Sequence, residues 1–257
     1  MSKDPGRGDV VRILERWGFD VEVIPEVEAK TADLLVTGSE RTLLEVKTRE
    51  DDPHRVAAED EVLSRGELAT GSEAYGYKNR VSGIIRRAVA QLKTYPPGAS
   101  DLRMLWLRCS GRFEEVQRQQ FEATLYGTTQ IVDHENSDGS RPAFYFHNSD
   151  FFKHRDTLDA AVVSTTTKAQ LLVNTLSPNA ESVRCSSFAA AFGKAVFDPS
   201  QLEAAGEAFV VDSDVDRRDS AAVLRDLQRK TGRKALQSIG MAHHWIMASI
   251  PTVPDER

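Results

Sequence analysis

Two charged residues, Glu45 and Lys47, lie two positions apart in Thr42 to Thr48, a segment whose alternating pattern predicts a short β-strand. Because strand side chains alternate between faces, this carboxylate and this ammonium group point to the same side of the sheet. Such a pair is either an ion pair on the solvent-exposed surface or part of a catalytic site. The deciding residue is Asp33, which lies on the preceding predicted strand.

The turn between the two strands determines whether Asp33 joins the pair. The strands are connected through the sequence GSER. If Thr37 pairs with Thr42, Asp33 faces the other side of the sheet. A shift of one residue, with Thr37 opposite Arg41, places Asp33 directly opposite Glu45, and opposed side chains share a face. A three-residue connection or a bulge at the glycine gives this second register. We therefore predict that Asp33 and Glu45 meet on one face.

The three side chains have the chemistry needed to hydrolyse a phosphodiester. Two adjacent carboxylates repel each other unless a cation lies between them. Magnesium prefers oxygen ligands, keeps several waters, polarises a phosphoryl oxygen and lowers the pKa of bound water. A neighbouring lysine orients the attacking water or stabilises charge on the phosphate. Asp33, Glu45 and Lys47 are therefore candidate catalytic residues, the first two as ligands of Mg²⁺ or Mn²⁺.

This constellation resembles the PD-(D/E)xK nuclease superfamily. Asp33, eleven intervening residues and then Glu45-Val46-Lys47 lie on a hairpin preceded by a helix, although Ala32 stands where the usual proline would be. The resemblance implies an α/β fold with a restriction-endonuclease-like core, in which a central mixed β-sheet is flanked by helices. It also makes Glu15, on the first predicted helix, a candidate third metal ligand. Glu15 lies at the rim of the apolar arc, where a metal-facing and a solvated glutamate both fit.

A second motif, QLKTY from Gln91 to Tyr95, resembles the Q-h-x-x-Y motif of RecB-like and lambda-exonuclease-like members. The resemblance adds Gln91 to the catalytic residues. Arg80, Arg87 and Gln91 recur at helical spacing and form a stripe beside the apolar arc of the same helix. The candidate nucleic-acid-binding residues are Lys78, Arg80, Arg87 and Tyr95. The alternative is that Gln91 and Tyr95 are rim residues of a helix that packs on the core.

Composition restricts the class of protein. The 257 residues carry a formal net charge of −6, yet the segment from Lys78 to Arg118 holds nine basic and three acidic residues. A local basic surface of this kind binds phosphate even in an acidic chain. With two cysteines, no apolar run of membrane-spanning length and no apolar leader, the sequence predicts a cytoplasmic protein without membrane contact.

The chain is predicted to divide into a nuclease-like core, residues 1–155, and a C-terminal α/β extension of unknown role, residues 156–257. The first helix is predicted over Asp9 to Trp17 with Asp9 as its N-cap. Asp51 to Tyr77 is predicted to be irregular apart from one short helix, and Ala169 to Leu176 to be helical. A homodimer and a partner protein from a defence or repair system both remain open.

The sequence also supports a function of another class. The same fold serves as a catalytically inactive module that binds nucleic acid or a partner protein. The negative overall charge and the unexplained C-terminal hundred residues favour this alternative. It predicts that Asp33 and Glu45 lie too far apart to share one ion, and that metal adds no thermal stability.

Overall fold

The structure is a computed structural model that describes residues 4–25, 31–96, 98, 101–135 and 139–248. In these ranges the chain forms an α/β fold, in which a seven-stranded mixed sheet is flanked by helices. None of the helices described there is both long enough and apolar enough to cross a bilayer.

The helices and strands are numbered in chain order. The helices are α1 (Arg7–Arg16), α2 (Pro53–Ser64), α3 (Asn79–Thr94), α4 (Glu114–Tyr126), α5 (Asp150–Lys153), α6 (Ala180–Arg184), α7 (Ser187–Phe192), α8 (Pro199–Ala204) and α9 (Ser220–Thr231). The strands are β1 (Asp20–Val23), β2 (Leu34–Thr37), β3 (Arg41–Arg49), β4 (Ala69–Tyr75), β5 (Leu102–Cys109), β6 (Thr129–Asp133), β7 (Ser140–Phe144), β8 (Ala160–Ser164), β9 (Ala169–Val173), β10 (Val196–Phe197), β11 (Phe209–Val210), β12 (Leu236–Ile239) and β13 (Met241–Met247). A 3-10 turn at Gly193–Ala195 follows α7.

The large sheet has the strand order β1-β2-β3-β5-β8-β9-β10. Its centre is parallel, because β3 pairs with β5 and β5 with β8 in the same direction. The β1-β2-β3 meander and the β8-β9 hairpin are antiparallel. In open α/β sheets, ligands bind beyond the carboxyl ends of the parallel strands. That edge of this sheet holds the last residues of β3, β5 and β8.

Two apolar cores cover the two faces of the large sheet. On one face α3 and α4 pack on β3 and β5, with Leu43, Ile85 and Phe121 fully buried. On the other face α1 and α7 pack on the same strands, with Leu14 and Trp106 fully buried. Alternate residues of β3 therefore belong to different cores, as strand geometry requires. The face that carries Leu43 is also the face of Glu45, Lys47 and Arg49.

The boundary predicted at residue 155 does not coincide with an end of the sheet. Strands β8, β9 and β10 follow this position, yet β8 hydrogen-bonds directly to β5. Residues Val183 and Phe188, from the predicted extension, share a core with Val10 and Leu14 of α1. The remaining strands form a four-stranded sheet, β11-β7-β6-β12, and a two-stranded pair, β13-β4.

The prediction that Asp9 caps α1 is wrong. The helix begins two residues earlier, with Gly6 at the N-cap. The carboxylate of Asp4 accepts the Gly6 N–H at 2.9 Å, and the Asp4 carbonyl accepts the Arg7 N–H at 3.1 Å. Asp9 instead lies in the first helical turn, where a carboxylate also complements the helix dipole.

The helix predicted over Ala169 to Leu176 is also wrong, because this segment contains strand β9. Leu171, Leu172 and Val173 are all fully buried. A strand that is buried on both faces shows no alternation, so its apolar run cannot be distinguished from a helix by periodicity. The segment Asp51 to Tyr77, predicted to hold one short helix, contains α2 and additionally strand β4, which pairs with β13 from the far end of the chain.

Candidate active site

The hairpin of β2 and β3 has the register that brings Asp33 to Glu45. Thr37 pairs with Arg41 and Leu34 with Leu44, so three residues, from Gly38 to Glu40, form the turn. Continuing the same register by one residue places Asp33 opposite Glu45. The prediction that the two carboxylates meet on one face is therefore confirmed.

The turn is held in this form by contacts with α7. The Glu40 carboxylate accepts hydrogen bonds from the Ser187 N–H at 3.0 Å and the Ser187 hydroxyl at 2.7 Å. A Cβ atom on Gly38 would lie 2.1 Å from the Ser187 Oγ and 3.0 Å from the ring of Phe19. Only glycine fits there without displacing a neighbour. The C-terminal part of the chain thus supports the register of the hairpin.

Asp33 is fixed by two donors that come from different elements. Its Oδ2 accepts the backbone N–H of Val46 on β3 at 2.9 Å. Its Oδ1 lies 3.3 Å from Nη1 of Arg7, whose side chain is only 7% exposed. Arg7 shares the buried face of α1 with Val10 and Leu14. One carboxylate therefore joins the hairpin to the first helix.

Glu45 is fully buried, and its two carboxyl oxygens have different surroundings. The ammonium group of Lys47, 25% exposed, contacts Oε1. Oε2 is buried without a hydrogen-bond partner among the described residues. Burial, reinforced by the negative charge of Asp33, raises the pKa of Glu45 from 4.5 to about 8. Lys47 opposes this rise without cancelling it.

The arrangement of these groups is deficient in positive charge. Asp33 lies opposite Glu45 in the hairpin register and its negative charge acts on the Glu45 carboxyl, while Lys47 offsets only part of the cost of ionising Glu45. An ionised carboxylate without enough donors is costly inside a protein. The site therefore favours either a proton on Glu45 or an additional cation beside it. The partly exposed Lys47 and Asp33 connect it to solvent.

Gln91 lies beside the chain that leads into Asp33. Its Nε2 donates a hydrogen bond to the carbonyl oxygen of Thr31 at 3.2 Å. Helix α3 carries Gln91 and packs on β3 through Val81 and Ile85. Tyr95, at the end of the helix, is partly buried against the same core. Gln91 thus holds the backbone two residues before the candidate catalytic carboxylate.

Glu15 is not brought to the carboxylate pair. Its side chain is exposed, and it lies eight residues along α1 from Arg7, about 12 Å at the helical rise. The residue of α1 that reaches Asp33 is Arg7, which the sequence reasoning missed. The sequence feature that indicates Arg7 is its spacing from Val10 and Leu14, which places all three on one helical face. A helix predicted to begin at Asp9 leaves Arg7 outside that pattern.

The candidate nucleic-acid-binding residues lie in different settings. Arg80 and Arg87 are exposed on α3, whereas Lys78 is half-buried and donates its backbone N–H to Thr124 Oγ1 at 3.2 Å. Arg80 also lines a cleft of about 420 Å³ at the carboxyl end of β3. The cleft is lined by Arg49, Glu50, Asp51, Asp52, Pro53, Arg55, Arg80, Phe113, Val116, Gln117 and Gln120.

The cleft extends the carboxylate site along the same strand. Arg49 follows Glu45 and Lys47 on one face of β3 and donates to Gln120 Oε1 at 2.7 Å. The Arg55 guanidinium lies 3.8 Å above the ring of Phe113. The cleft therefore combines three arginines with three carboxylates, and Arg49 lies two residues after Lys47 on β3.

Relatives of known function provide no guide to this site. Comparison of the chain with protein-family models, with curated proteins and with solved structures finds no match. Its function therefore has to be inferred from the geometry and charge of the side chains themselves.

Proposed function

We propose that the chain is a metal-dependent nuclease that hydrolyses phosphodiester bonds in DNA, with Asp33, Glu45 and Lys47 as catalytic residues. The observation that supports this function is the convergence of two carboxyl groups, one of them with an unpaired buried oxygen, beside a partly exposed ammonium group. The fold proposed with it is a restriction-endonuclease-like core. A helix-led hairpin on a mixed sheet between helical layers supports that core.

Asp33 and Glu45 are the residues that would hold Mg²⁺ or Mn²⁺. No group of three or more His, Cys, Asp and Glu side chains is gathered for a metal in the described part of the chain. Two carboxylates suffice for Mg²⁺, which is usually bound by one or two of them and keeps several waters. When bound, the ion polarises a phosphoryl oxygen and lowers the pKa of water. The unpaired Oε2 of Glu45 is the oxygen available to it.

Lys47 is suited to orient the attacking water and to stabilise negative charge on the phosphate. Its ammonium group has three donors, and it contacts Glu45 while remaining 25% exposed. Glu45 limits the positions that this group adopts. Arg7 and the Val46 N–H hold Asp33 in its orientation from two directions. Such preorganised donors and acceptors account for a large share of enzymatic rate enhancement.

The exposed arginines of α3 provide a surface for the DNA backbone. Arg80 and Arg87 lie seven residues apart on one side of the helix whose Gln91 contacts the Asp33 segment. Arginine binds phosphate oxygens through charge-assisted hydrogen bonds that position the duplex without reading its sequence. This surface therefore supports binding next to the carboxylate pair.

A non-catalytic binding module is the second candidate function. One observation favours it: Glu45 is fully buried and already contacts Lys47, as in an ion pair that only stabilises a fold. The register that places Asp33 opposite Glu45 argues against this module, which predicts two carboxylates that are far apart. Titration calorimetry with Mg²⁺ separates the candidates, because a module would bind no ion at Asp33 and Glu45.

Cleavage assays test the proposed activity directly. We expect the full chain to degrade single- or double-stranded DNA in Mg²⁺ or Mn²⁺ and to lose that activity in a chelator. Asp33→Asn should reduce cleavage by about 10²-fold or more, since it removes a charged ligand. Asparagine can still accept the Val46 N–H through its single oxygen, but its NH2 group cannot accept from Arg7, so a melting temperature near that of the wild type is the check that the fold is preserved.

The matched control is Asp214→Asn, which makes the same chemical change at a carboxylate that is 84% exposed. This variant should cleave DNA at the wild-type rate. Equal activity of the two variants, or no cleavage of DNA by the wild type in either metal, would contradict the proposal. An RNA substrate assayed in parallel shows whether cleavage depends on the sugar of the nucleic acid.

Gln91 is expected to act as a positioning residue. Gln91→Leu removes the donor to the Thr31 carbonyl, so unfolding should become easier by about 1 kcal/mol and cleavage should fall about tenfold. The control is Gln228→Leu, since Gln228 donates to the Lys234 carbonyl at 3.0 Å. It should lose similar stability in urea unfolding but no activity. Equal cleavage by both variants would mean that Gln91 does not position the active site.

A further inference from the structure

A groove of about 570 Å³ lies on the sheet face opposite to Glu45. It is formed by α1, β5, the turn between β8 and β9, and the segment from α7 to the 3-10 turn. Arg108 and Ser164 of this groove lie at the carboxyl ends of β5 and β8, and Arg108 is opposite Thr48 on β3. The groove therefore occupies the edge at which α/β sheets commonly bind ligands.

The floor of the groove is aromatic. Trp17 is 39% exposed, so part of its large apolar ring faces solvent. The ring of Phe192 meets Trp17 edge-on with 5.0 Å between centroids, and Trp106 lies 6.2 Å from Trp17. Trp106 is itself fixed, because its indole N–H donates to Ser164 Oγ at 2.9 Å. The floor thus presents a supported, flat apolar ring to solvent.

The rim of the groove is basic in a chain of net charge −6. Four cationic side chains line it with one carboxylate, and two further carboxylates, Glu114 and Glu115, lie beside the turn of Lys168, so the surroundings keep a net positive charge. The carboxylate that lines the groove belongs to Asp9, which pairs with both Arg12 and Arg108. Arg16 is exposed and has no ion pair within the described ranges, and Lys168 is exposed on the facing turn.

The turn that carries Lys168 is preformed. Thr165 donates its N–H to the Lys168 carbonyl at 2.8 Å, and its hydroxyl accepts the Lys168 N–H at 3.1 Å. The N–H and hydroxyl of Thr166 both donate to Glu114 Oε2, at 2.9 and 2.7 Å. Both walls of the groove are therefore regular, hydrogen-bonded elements, and ligand sites of this size are usually preformed.

We propose that this groove binds a nucleotide unit, with the base on Trp17 and the phosphate between Arg16 and Lys168. A stacking surface next to cations is the combination that single-stranded nucleic acids use, and it tolerates every base. An apolar ligand alone would not require the basic rim, and a lone phosphate would not require the exposed indole. The site does not depend on hydrolysis at Asp33 and Glu45, which face the other core.

Titration calorimetry of the full chain in chelator tests the proposal with adenosine 5′-monophosphate, adenosine and inorganic phosphate. The monophosphate should bind at least about tenfold more tightly than either part, because only it engages both floor and rim. Equal affinity for a part and for the whole nucleotide, or no binding of the nucleotide, overturns the proposal. A single-stranded hexanucleotide distinguishes the sources, since tighter binding than the monophosphate identifies a nucleic-acid strand and equal binding identifies a free nucleotide.

Two variants locate the binding. Trp17→Leu keeps an apolar side chain on Phe192 but removes the flat ring, and it should weaken nucleotide binding about tenfold. Arg16→Glu should weaken it as much, whereas Arg225→Glu, the same charge change at an exposed position of α9, should not. A melting temperature near that of the wild type shows that each variant is folded. Similar losses for both arginines, or none for Trp17→Leu, place the nucleotide elsewhere.

Discussion

Replacing Lys47 with alanine is expected to reduce metal-dependent cleavage by about 10²–10³-fold, the usual consequence of removing one transition-state donor. The side chain contacts Glu45 and is one-quarter exposed, so it is the cation of the site that is placed to reach a substrate phosphate. The fold should tolerate its loss. Without Lys47 the influence that lowers the pKa of Glu45 is removed, so this carboxyl, whose pKa is already about 8, stays protonated and uncharged at neutral pH.

The control for this substitution is Lys153→Ala. Lys153 lies 3.2 Å from Asp150, a carboxylate that is 1% exposed, so both lysines contact a buried acid. The two variants should therefore differ little in melting temperature, while Lys47→Ala alone loses cleavage. Mg²⁺ binding by calorimetry should persist in Lys47→Ala with release of the Glu45 proton, because both carboxyl ligands, Asp33 and Glu45, remain. Equal cleavage rates of the two variants would show that the Lys47–Glu45 contact is only a structural ion pair.

The site shows which parts of the geometry are encoded locally. The hairpin register follows from a short turn with one glycine between alternating strands, and this pattern can be recognised in twenty residues. The meeting of Asp33 with Glu45 is a direct consequence of that register. The helix that carries Gln91 likewise begins where its apolar periodicity begins. These elements are predictable because their determinants lie within a few residues of each other.

Other determinants of the site are far away in the chain. Ser187, which holds the turn through Glu40, is separated from it by 147 residues. Arg7 is recognisable as a partner of Asp33 only after α1 is known to begin before Asp9 and to pack on β3. Strand β9, buried on both faces, lacks the alternation that identifies a strand. Such features depend on tertiary contacts, which a single sequence does not display.

The Glu45 carboxyl makes stability depend on pH in a defined direction. Its pKa is about 8 in the folded chain and near 4.5 when unfolded, so the native state holds a proton that the unfolded state releases between these values. Its contribution to folding is complete below about pH 4.5 and is lost as the pH rises through 8. Across that window the loss is on the order of a few kcal/mol.

Glu45→Gln should remove this dependence, because a neutral amide does not ionise and can donate a hydrogen bond to Asp33. In urea unfolding, the free energy of unfolding of the variant relative to the wild type should therefore increase from pH 5 to pH 9, by an amount on the order of a few kcal/mol. The control is Glu61→Gln, the same change at a side chain that is 74% exposed, and its stability relative to the wild type should not change with pH in this way. A stability difference that does not change with pH would mean that Glu45 ionises normally. If Glu45→Gln loses cleavage and is more stable than the wild type at high pH, then the ionised carboxylate that catalysis needs is also the group that destabilises the fold. Such opposition between activity and stability is common at active sites.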